Sequence, residues 1–352
     1  MSNENIVIQQ DLLESQVVSI FERLGVTRED AENVARVLIC ADQWGVNSHG
    51  VLRVERYVRC LQSGGISANA ALTVEQQSGG WVRASANGGL GIPASSKATA
   101  LAIKLAKEHG VGIVNLRQSH HNGAEGVYAD EIARQGMVGM VMSTGNPIMA
   151  VTGSCEATIG NNPFAYAVPA GKYGTLMMDV AMSAVADGKV QLARATGKQL
   201  PPGCILNKDG KPSVEPEEYL NGGVLLPFGA HKGYGLSVMV ECMAGILSGA
   251  ALTHDINSWN ETPGKCGNTG HLIIAMDIGK MMPVEAFTQS VETMIEQFKS
   301  AKRAEGVEEI YYPGELEQKR KAEAGDTVTI IPSTWASLCR AAEAVGLTMK
   351  QN

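Results

Sequence analysis

Beyond Gly65 the chain changes texture: short apolar runs begin to alternate with stretches of helical periodicity, which commits it to a sheet covered by helices. The runs at 81–86, 111–116 and 138–143 read as strands, with helices at 94–109 and 123–135 between them. Further strands are expected at 164–168, 176–179 and 271–276, with a Gly/Pro-rich linker over 196–216. Helices follow at 283–304 and 315–324, and a last one starts at Ser333 behind Pro332. Ahead of this core, 11–24 reads as a helix stopped by Gly25, and Thr27 with Asp30 forms a capping-box-like start for a second that runs to Gly45.

With 352 residues, 44% of them hydrophobic, the chain can bury a large core and divide into two domains. A net charge of −7 without a long Lys/Arg run argues against nucleic acid as a partner. Residues 1–10 are polar and show no secretory signal, and the seven cysteines form no C-x-x-C pair, so they read as reduced thiols of a cytoplasmic protein. The apolar run 235–252 is interrupted by Glu241 and by glycines, so it reads as a buried core helix rather than a membrane span.

The chemistry concentrates first in Asn47-Ser48-His49-Gly50-Val51-Leu52-Arg53-Val54-Glu55-Arg56-Tyr57. The spacing predicts a helix over 49–62, with Ser48 as N-cap and Gly64-Gly65 as its stop, and it puts His49, Arg53 and Tyr57 on one face. Free N–H groups and the positive helix end would then favour a carboxylate, which Arg53 can grip through both oxygens. The same positive end keeps His49 near its neutral form.

Gly89-Leu90-Gly91-Ile92-Pro93-Ala94 matches the G-x-G-x-x-A dinucleotide fingerprint, but the next strand, 111–116, ends without the acid that holds a ribose hydroxyl. A tight strand-to-helix turn is the better reading. Ser119-His120-His121-Asn122-Gly123 lies in a strand-to-helix loop, where reactive groups of such folds commonly sit. No Cys, Asp or Glu stands there at ligand spacing, so one pocket histidine plus one structural histidine is expected and no metal. Gly160-Asn161-Asn162-Pro163 reads as a turn, Asp179 ends an apolar strand, and His231-Lys232-Gly233-Tyr234-Gly235 places an ammonium at a glycine-rich helix start suited to phosphate.

Taken in order, these motifs resemble the malate/L-lactate dehydrogenase family that is unrelated to the Rossmann-type enzymes, from Ser48-His49-Gly50 through the 160–163 turn and His231-Lys232 to Tyr312-Pro313-Gly314-Glu315. That family also holds ureidoglycolate and sulfolactate dehydrogenases, diketogulonate reductase and the piperideine-2-carboxylate reductases. The resemblance implies an α/β (α+β) fold, with a helical domain plus a non-Rossmann dinucleotide-binding α/β domain. It also implies a cytoplasmic homodimer that passes a hydride between NAD or NADP and a small 2-oxo or 2-hydroxy acid. The corresponding division is a helical part over 1–70, an α/β core with the cofactor region over 71–230, and helices and C-terminal segments over 231–352 that complete both domains.

Carried across residue by residue, the resemblance sets the substrate carboxylate on Arg53, with Ser48, Tyr57 and Asn162 lining the pocket. Both family candidates for the acid/base are present, with His49 preferred as proton donor and His121 orienting the substrate oxygen beside the cofactor. The cofactor would contact His121, Ser143, Thr144, Met178, Asp179, Val180, Ala181, His231, Lys232, Gly314 and Glu315. Lys189 stands where the similar imine reductases carry an acid, which disfavours a cyclic imine substrate. Asp187 either faces the substrate's distal end, where it repels a second carboxylate, or caps the following helix or pairs with Lys189. A binding protein that has kept the fold and lost turnover is the reading from another class.

Overall fold

The computed structural model describes residues 4–351, apart from the side chains of Leu192 and Ala195. The chain opens with β1 (Ile6–Gln9), α1 (Gln10–Arg23) and α2 (Arg28–Gln43), the last capped by the Thr27 hydroxyl on the Asp30 N–H as expected, and then reaches α3 (Val54–Gln62). It continues through β2 (Thr73–Ser78), β3 (Trp81–Ser85), α4 (Gly91–His109), β4 (Val111–Ser119), α5 (Glu125–Ala133) and β5 (Met137–Ser143). Next come β6 (Met149–Ala150), β7 (Ala157–Ile159), β8 (Phe164–Pro169), β9 (Thr175–Val180) and α6 (Asp187–Ala195). The expected linker carries structure of its own: β10 (Ile205–Leu206), β11 (Pro212–Ser213), α7 (Pro216–Leu220) and β12 (Val224–Leu225). The last third holds α8 (His231–Val240), β13 (Thr269–Asp277), α9 (Val284–Ser300), α10 (Glu315–Ala324), β14 (Thr327–Ile330) and α11 (Pro332–Glu343).

Seven strands form the central sheet in the order β2-β3-β4-β13-β5-β8-β9, and only β3 with β4 runs parallel. The long return strand β13 splits β4 from β5, so no doubly wound parallel sheet exists to build a Rossmann crevice. Alternation along β13 sends Ile273 and Ala275 into the main core with α4 and α5, while Leu272 joins a second core on the opposite face. A smaller sheet, β11-β10-β12-β6-β7, borders that second core.

The run expected to be a buried helix is only half covered. After α8 the helix widens into a π-helical turn, Glu241–Ile246, and Leu236, Val238, Ile246 and Leu247 are exposed. Among the described residues no helix is long and apolar enough to cross a membrane.

The first and last strands pair, β1 antiparallel to β14, beside α2. Gln43, buried at the end of α2, donates its amide to the Gly325 and Thr327 carbonyls and to the Gln10 side chain. Ile8 of β1 is 1% exposed within the main core. Replacing Ile8 by Ala removes buried methyl groups and should cost about 2–5 kcal/mol. Urea unfolding should show a lowered midpoint; an unchanged midpoint would mean that the terminal strand carries no part of the core.

Candidate active site

The expected single helix over 49–62 is replaced by two 3-10 turns, Asn47–His49 and Val51–Arg53, followed by α3. The cause lies one helix earlier. Asp42, buried in the last turn of α2, accepts the Val51 N–H at 2.8 Å and the Asn47 side-chain amide at 3.1 Å. This carboxyl occupies the space a side chain at position 50 would need: a Cβ on Gly50 would lie 2.0 Å from its Oδ1. The backbone at Gly50 is extended and the helix cannot begin before it. Asp42 therefore takes the capping role expected of Ser48, whose hydroxyl bonds His49 Nδ1 at 2.9 Å instead. The anion pocket of free helix N–H groups is not formed; side chains supply the charge.

Arg53 is buried and its one hydrogen bond among the described residues runs from Nε to the Ser48 carbonyl, 2.6 Å, leaving the two outer nitrogens unpaired. One turn along α3, Tyr57 is fully buried and its hydroxyl meets His121 Nδ1 at 2.6 Å and the His121 carbonyl at 3.2 Å. The Gly123 N–H also points at His121 Nδ1, 3.3 Å away, so this nitrogen is an acceptor and the proton of neutral His121 sits on Nε2. The two imidazoles face each other, with centroids 5.4 Å apart and planes 18° from parallel. The Trp259 indole also stacks on His121, 4.5 Å away and 15° from parallel.

His120 is the structural member of the His-His pair: it is 2% exposed and its Nε2 lies 2.9 Å from the Gly65 carbonyl. The G-x-G-x-x-A segment serves this same loop, because a Cβ on Gly91 would strike the His120 carbonyl at 2.1 Å. Its second glycine lets α4 start against the catalytic loop and has no phosphate role to explain.

The start of α6 presses on the His49 turn, with the Cβ position of Gly188 only 2.5 Å from Ser48 Cβ. Asp187 accepts the Tyr219 hydroxyl at 3.1 Å and acts electrostatically on Arg53 and Arg56, while Lys189 is exposed. Asn162, expected in the substrate pocket, is committed to the scaffold. Its Oδ1 accepts the Gly145 N–H, and its Nδ2 donates to the Ser237 carbonyl and to Glu241 at 2.7 Å.

The expected cofactor segments border one another. Met177, just before Met178, donates its N–H to the Pro313 carbonyl, and Gly314 sits so close, at φ +90°, that its Cβ would lie 3.0 Å from the Met177 nitrogen. Past Ala181, Met182 bonds both Asn161 and Phe228, which brings the His231-Lys232 turn alongside. Ser143 bonds Pro163 across the sheet, and Thr144 is hydrogen-bonded to Gly270. Asp179 accepts the Gly126 N–H at 2.8 Å at the start of α5, and Glu315 is held by Lys299 and the Tyr312 N–H. These backbone edges, with small or polar neighbours, adjoin one another and are the residues that could hold an extended dinucleotide.

Sequence reasoning missed four residues. Asp42 carries no motif of its own. Arg56 and Trp259 meet at the mouth of the pocket, with both the Arg53 and Arg56 guanidiniums 5.4 Å from the centre of the indole. Glu125, at the first position of α5, is 1% exposed; its Oε2 takes the Asn122 amide and its Oε1 has no hydrogen-bond partner among the described residues. An acid opening a helix was the one available signal for Glu125.

The family profile described as Malate/L-lactate dehydrogenase matches residues 8–339, and the chain belongs to that family. It is 38% identical over 321 residues to a malate dehydrogenase of Pyrococcus horikoshii, covering 89% of this chain and 88% of the other. It is 35% identical over 289 residues to a Δ1-pyrroline-2-carboxylate/Δ1-piperideine-2-carboxylate reductase of Pseudomonas putida, covering 82% of this chain and 84% of that one. The solved sulfolactate dehydrogenase of Methanocaldococcus jannaschii superposes with a TM-score of 0.91 at 32% identity, over 98% of each chain. The protein is an oxidoreductase of this family.

Burial, reinforced by Arg53, lowers the His49 pKa to about 3, and burial with His49, Arg53 and Arg56 holds His121 well below its ordinary value. Burial lowers His120 and His271 to about 4. As pH falls below 6.5 the unfolded chain takes up protons that these folded imidazoles refuse, so the stability they contribute is lost on the way down. Burial raises Asp42 to about 7 and Asp179 to about 6; there the folded form binds the proton first, and acidification restores stability. NMR of protein labelled with 15N at histidine should find no titration of His49, His120, His121 or His271 between pH 8 and 5. Ordinary titration of His121 in that range would show that its pocket is open to water.

Proposed function

We propose that this enzyme transfers a hydride between NAD(P) and C2 of a small 2-hydroxy or 2-oxo acid. The observation that carries the reading is the convergence of a buried guanidinium with unpaired outer nitrogens, two neutral imidazoles and a buried phenol around one small space. NAD(P), when bound along Ser143-Thr144, Met178–Ala181, His231-Lys232 and Gly314-Glu315, supplies or takes the hydride. Arg53 holds the substrate carboxylate in a bidentate pair. Tyr57 fixes His121 so that Nε2–H points its proton at the substrate oxygen, and Gly123 N–H at Nδ1 resists a second proton on that ring. His49, anchored through Nδ1 by Ser48, is left as the acid/base: once the substrate carboxylate offsets the Arg53 charge it takes up a proton from solvent, passes it from the imidazolium to the oxygen during reduction and takes it back during oxidation. The surrounding positive charge stabilises the developing alkoxide.

Asp187 adds a negative charge at the distal side, hydrogen-bonded to Tyr219, and it disfavours a second carboxylate on the substrate. Exposed Leu236, Val238, Ile246 and Leu247 on the α8 face support a homodimer joined there, and seven free cysteines support a cytoplasmic location.

Purified protein mixed with pyruvate, oxaloacetate, glyoxylate and a cyclic imine carboxylate should oxidise NADH or NADPH with an open-chain acid. Turnover of the imine alone would move the enzyme to the reductase branch. Arg53→Ala should lower kcat/KM by about 100-fold or more, the cost of removing a buried charge partner, with NAD(P)H affinity retained. Asp187→Arg should raise turnover of oxaloacetate relative to pyruvate about tenfold; an unchanged ratio would exclude Asp187 from the substrate pocket.

A further inference from the structure

Trp259 lies in a loop outside every motif singled out in the chain, yet it meets His121, Tyr57, Arg53 and Arg56. Its carbonyl accepts a long hydrogen bond from the Cys60 thiol, and the next carbonyl, of Asn260, accepts from Arg59, so the loop is fastened to α3, the helix that carries Tyr57. The indole stacks on His121 at 4.5 Å and 15°, and His49 stacks on His121 at 5.4 Å and 18°. The Tyr57 ring meets the same indole at 5.4 Å, tilted by 52°. His121 is therefore flanked by three rings and its Nδ1 is taken by Tyr57 and Gly123, which leaves Nε2 without a hydrogen-bond partner among the described residues.

The charges around this column need holding as well. The charged and titratable groups that face His121 are His49, Arg53, Arg56, His271 and the Tyr57 phenol, and the two arginines repel each other. Neither guanidinium has an ion pair to a carboxylate among the described residues; each lies 5.4 Å from the indole centre, where the negative face of the ring attracts it.

We propose that Trp259 is a positioning residue: the third ring of a His49–His121–Trp259 stack that aims the Nε2–H of His121 and steadies the Arg53 guanidinium. A flat aromatic face is what the role demands. Leucine fills similar space and keeps water out, but it offers no π face to a guanidinium and lets an imidazole rotate; phenylalanine keeps the face. The inference rests on the proposed reading of His121 and Arg53, and its test has one arm that needs no turnover.

In the first arm, 15N shifts of His121 should report the pure Nε2–H tautomer in the wild type and in Trp259→Phe, and a tautomer mixture in Trp259→Leu. In the second, Trp259→Leu should lower kcat for 2-oxo acid reduction at least tenfold and raise KM, with NADH affinity by nicotinamide fluorescence unchanged. The primary isotope effect with 4-deuterated NADH should rise, because a misaligned hydrogen bond from His121 to the substrate oxygen slows hydride transfer and makes it limiting. Trp259→Phe should restore kcat and KM to within about threefold. A merely structural tryptophan would lower the melting temperature and leave tautomer, isotope effect and the KM of folded enzyme untouched, and that result would overturn the proposal. If the wild type turns over no acid in the panel, the functional reading fails instead, while the tautomer arm still judges the stack.

Discussion

Two hydrogen bonds to one buried carboxyl hold the active site in shape. Asp42 reaches from the end of α2 across the turn that follows and binds the Val51 N–H and the Asn47 amide. A polar group buried without such partners costs on the order of 1–3 kcal/mol, so the turn is folded around the acid rather than beside it. The extended backbone at Gly50 sets His49 off the axis of α3 and frees it to lie against His121, while Arg53, at the N-cap of α3, and Tyr57, in its first turn, stay together. A continuous helix would have strung all three along a single stripe; the break folds them toward one point.

Burial then determines what these groups can do. Imidazoles taken from water stay neutral chiefly because burial penalises the charged ring, and the Arg53 guanidinium beside both of them adds repulsion. Glu125 and Asp179 show the opposite case: burial, and for Glu125 the neighbouring acid, favour the protonated carboxyl. A site with free guanidinium nitrogens and neutral bases is arranged for an anionic ligand that brings the missing negative charge with it. The carboxylate of the proposed 2-oxo acid substrate would meet that need and complete the electrostatics that folding left open.

Periodicity carried most of the secondary structure. The expected strands and helices match β3 to β5, β8, β9, β13, α4, α5, α9 and α10 within a few residues, since each buries a face that leaves a period in the sequence. What was illegible depended on distant partners. All six residues of β2 are exposed, so it has no apolar alternation to read, and β1 gains its identity only by pairing with β14. The start of α3 was misplaced because the cap comes from α2. Asn162 read as a pocket residue, but its amide is consumed by Gly145, Ser237 and Glu241, contacts that no local pattern announces. His49, Arg53, Tyr57 and His121 could be nominated from residue type and spacing; Trp259 could not, because only the folded loop brings it to them.

The pairing of β1 with β14 has a consequence for how activity arises during synthesis. The α3 helix leans on α11, where Arg340 and Ser337 grip Glu55, and Gln43 of α2 is tied to the carbonyls on either side of the start of β14. The helices and turn that bear Asp42, Arg53 and Tyr57 are thus buttressed by residues 282 to 285 positions further along the chain. A growing chain holds no finished pocket until the segment 327–343 has emerged, however early its first helices form. The acid site then takes shape as a late, long-range event of folding.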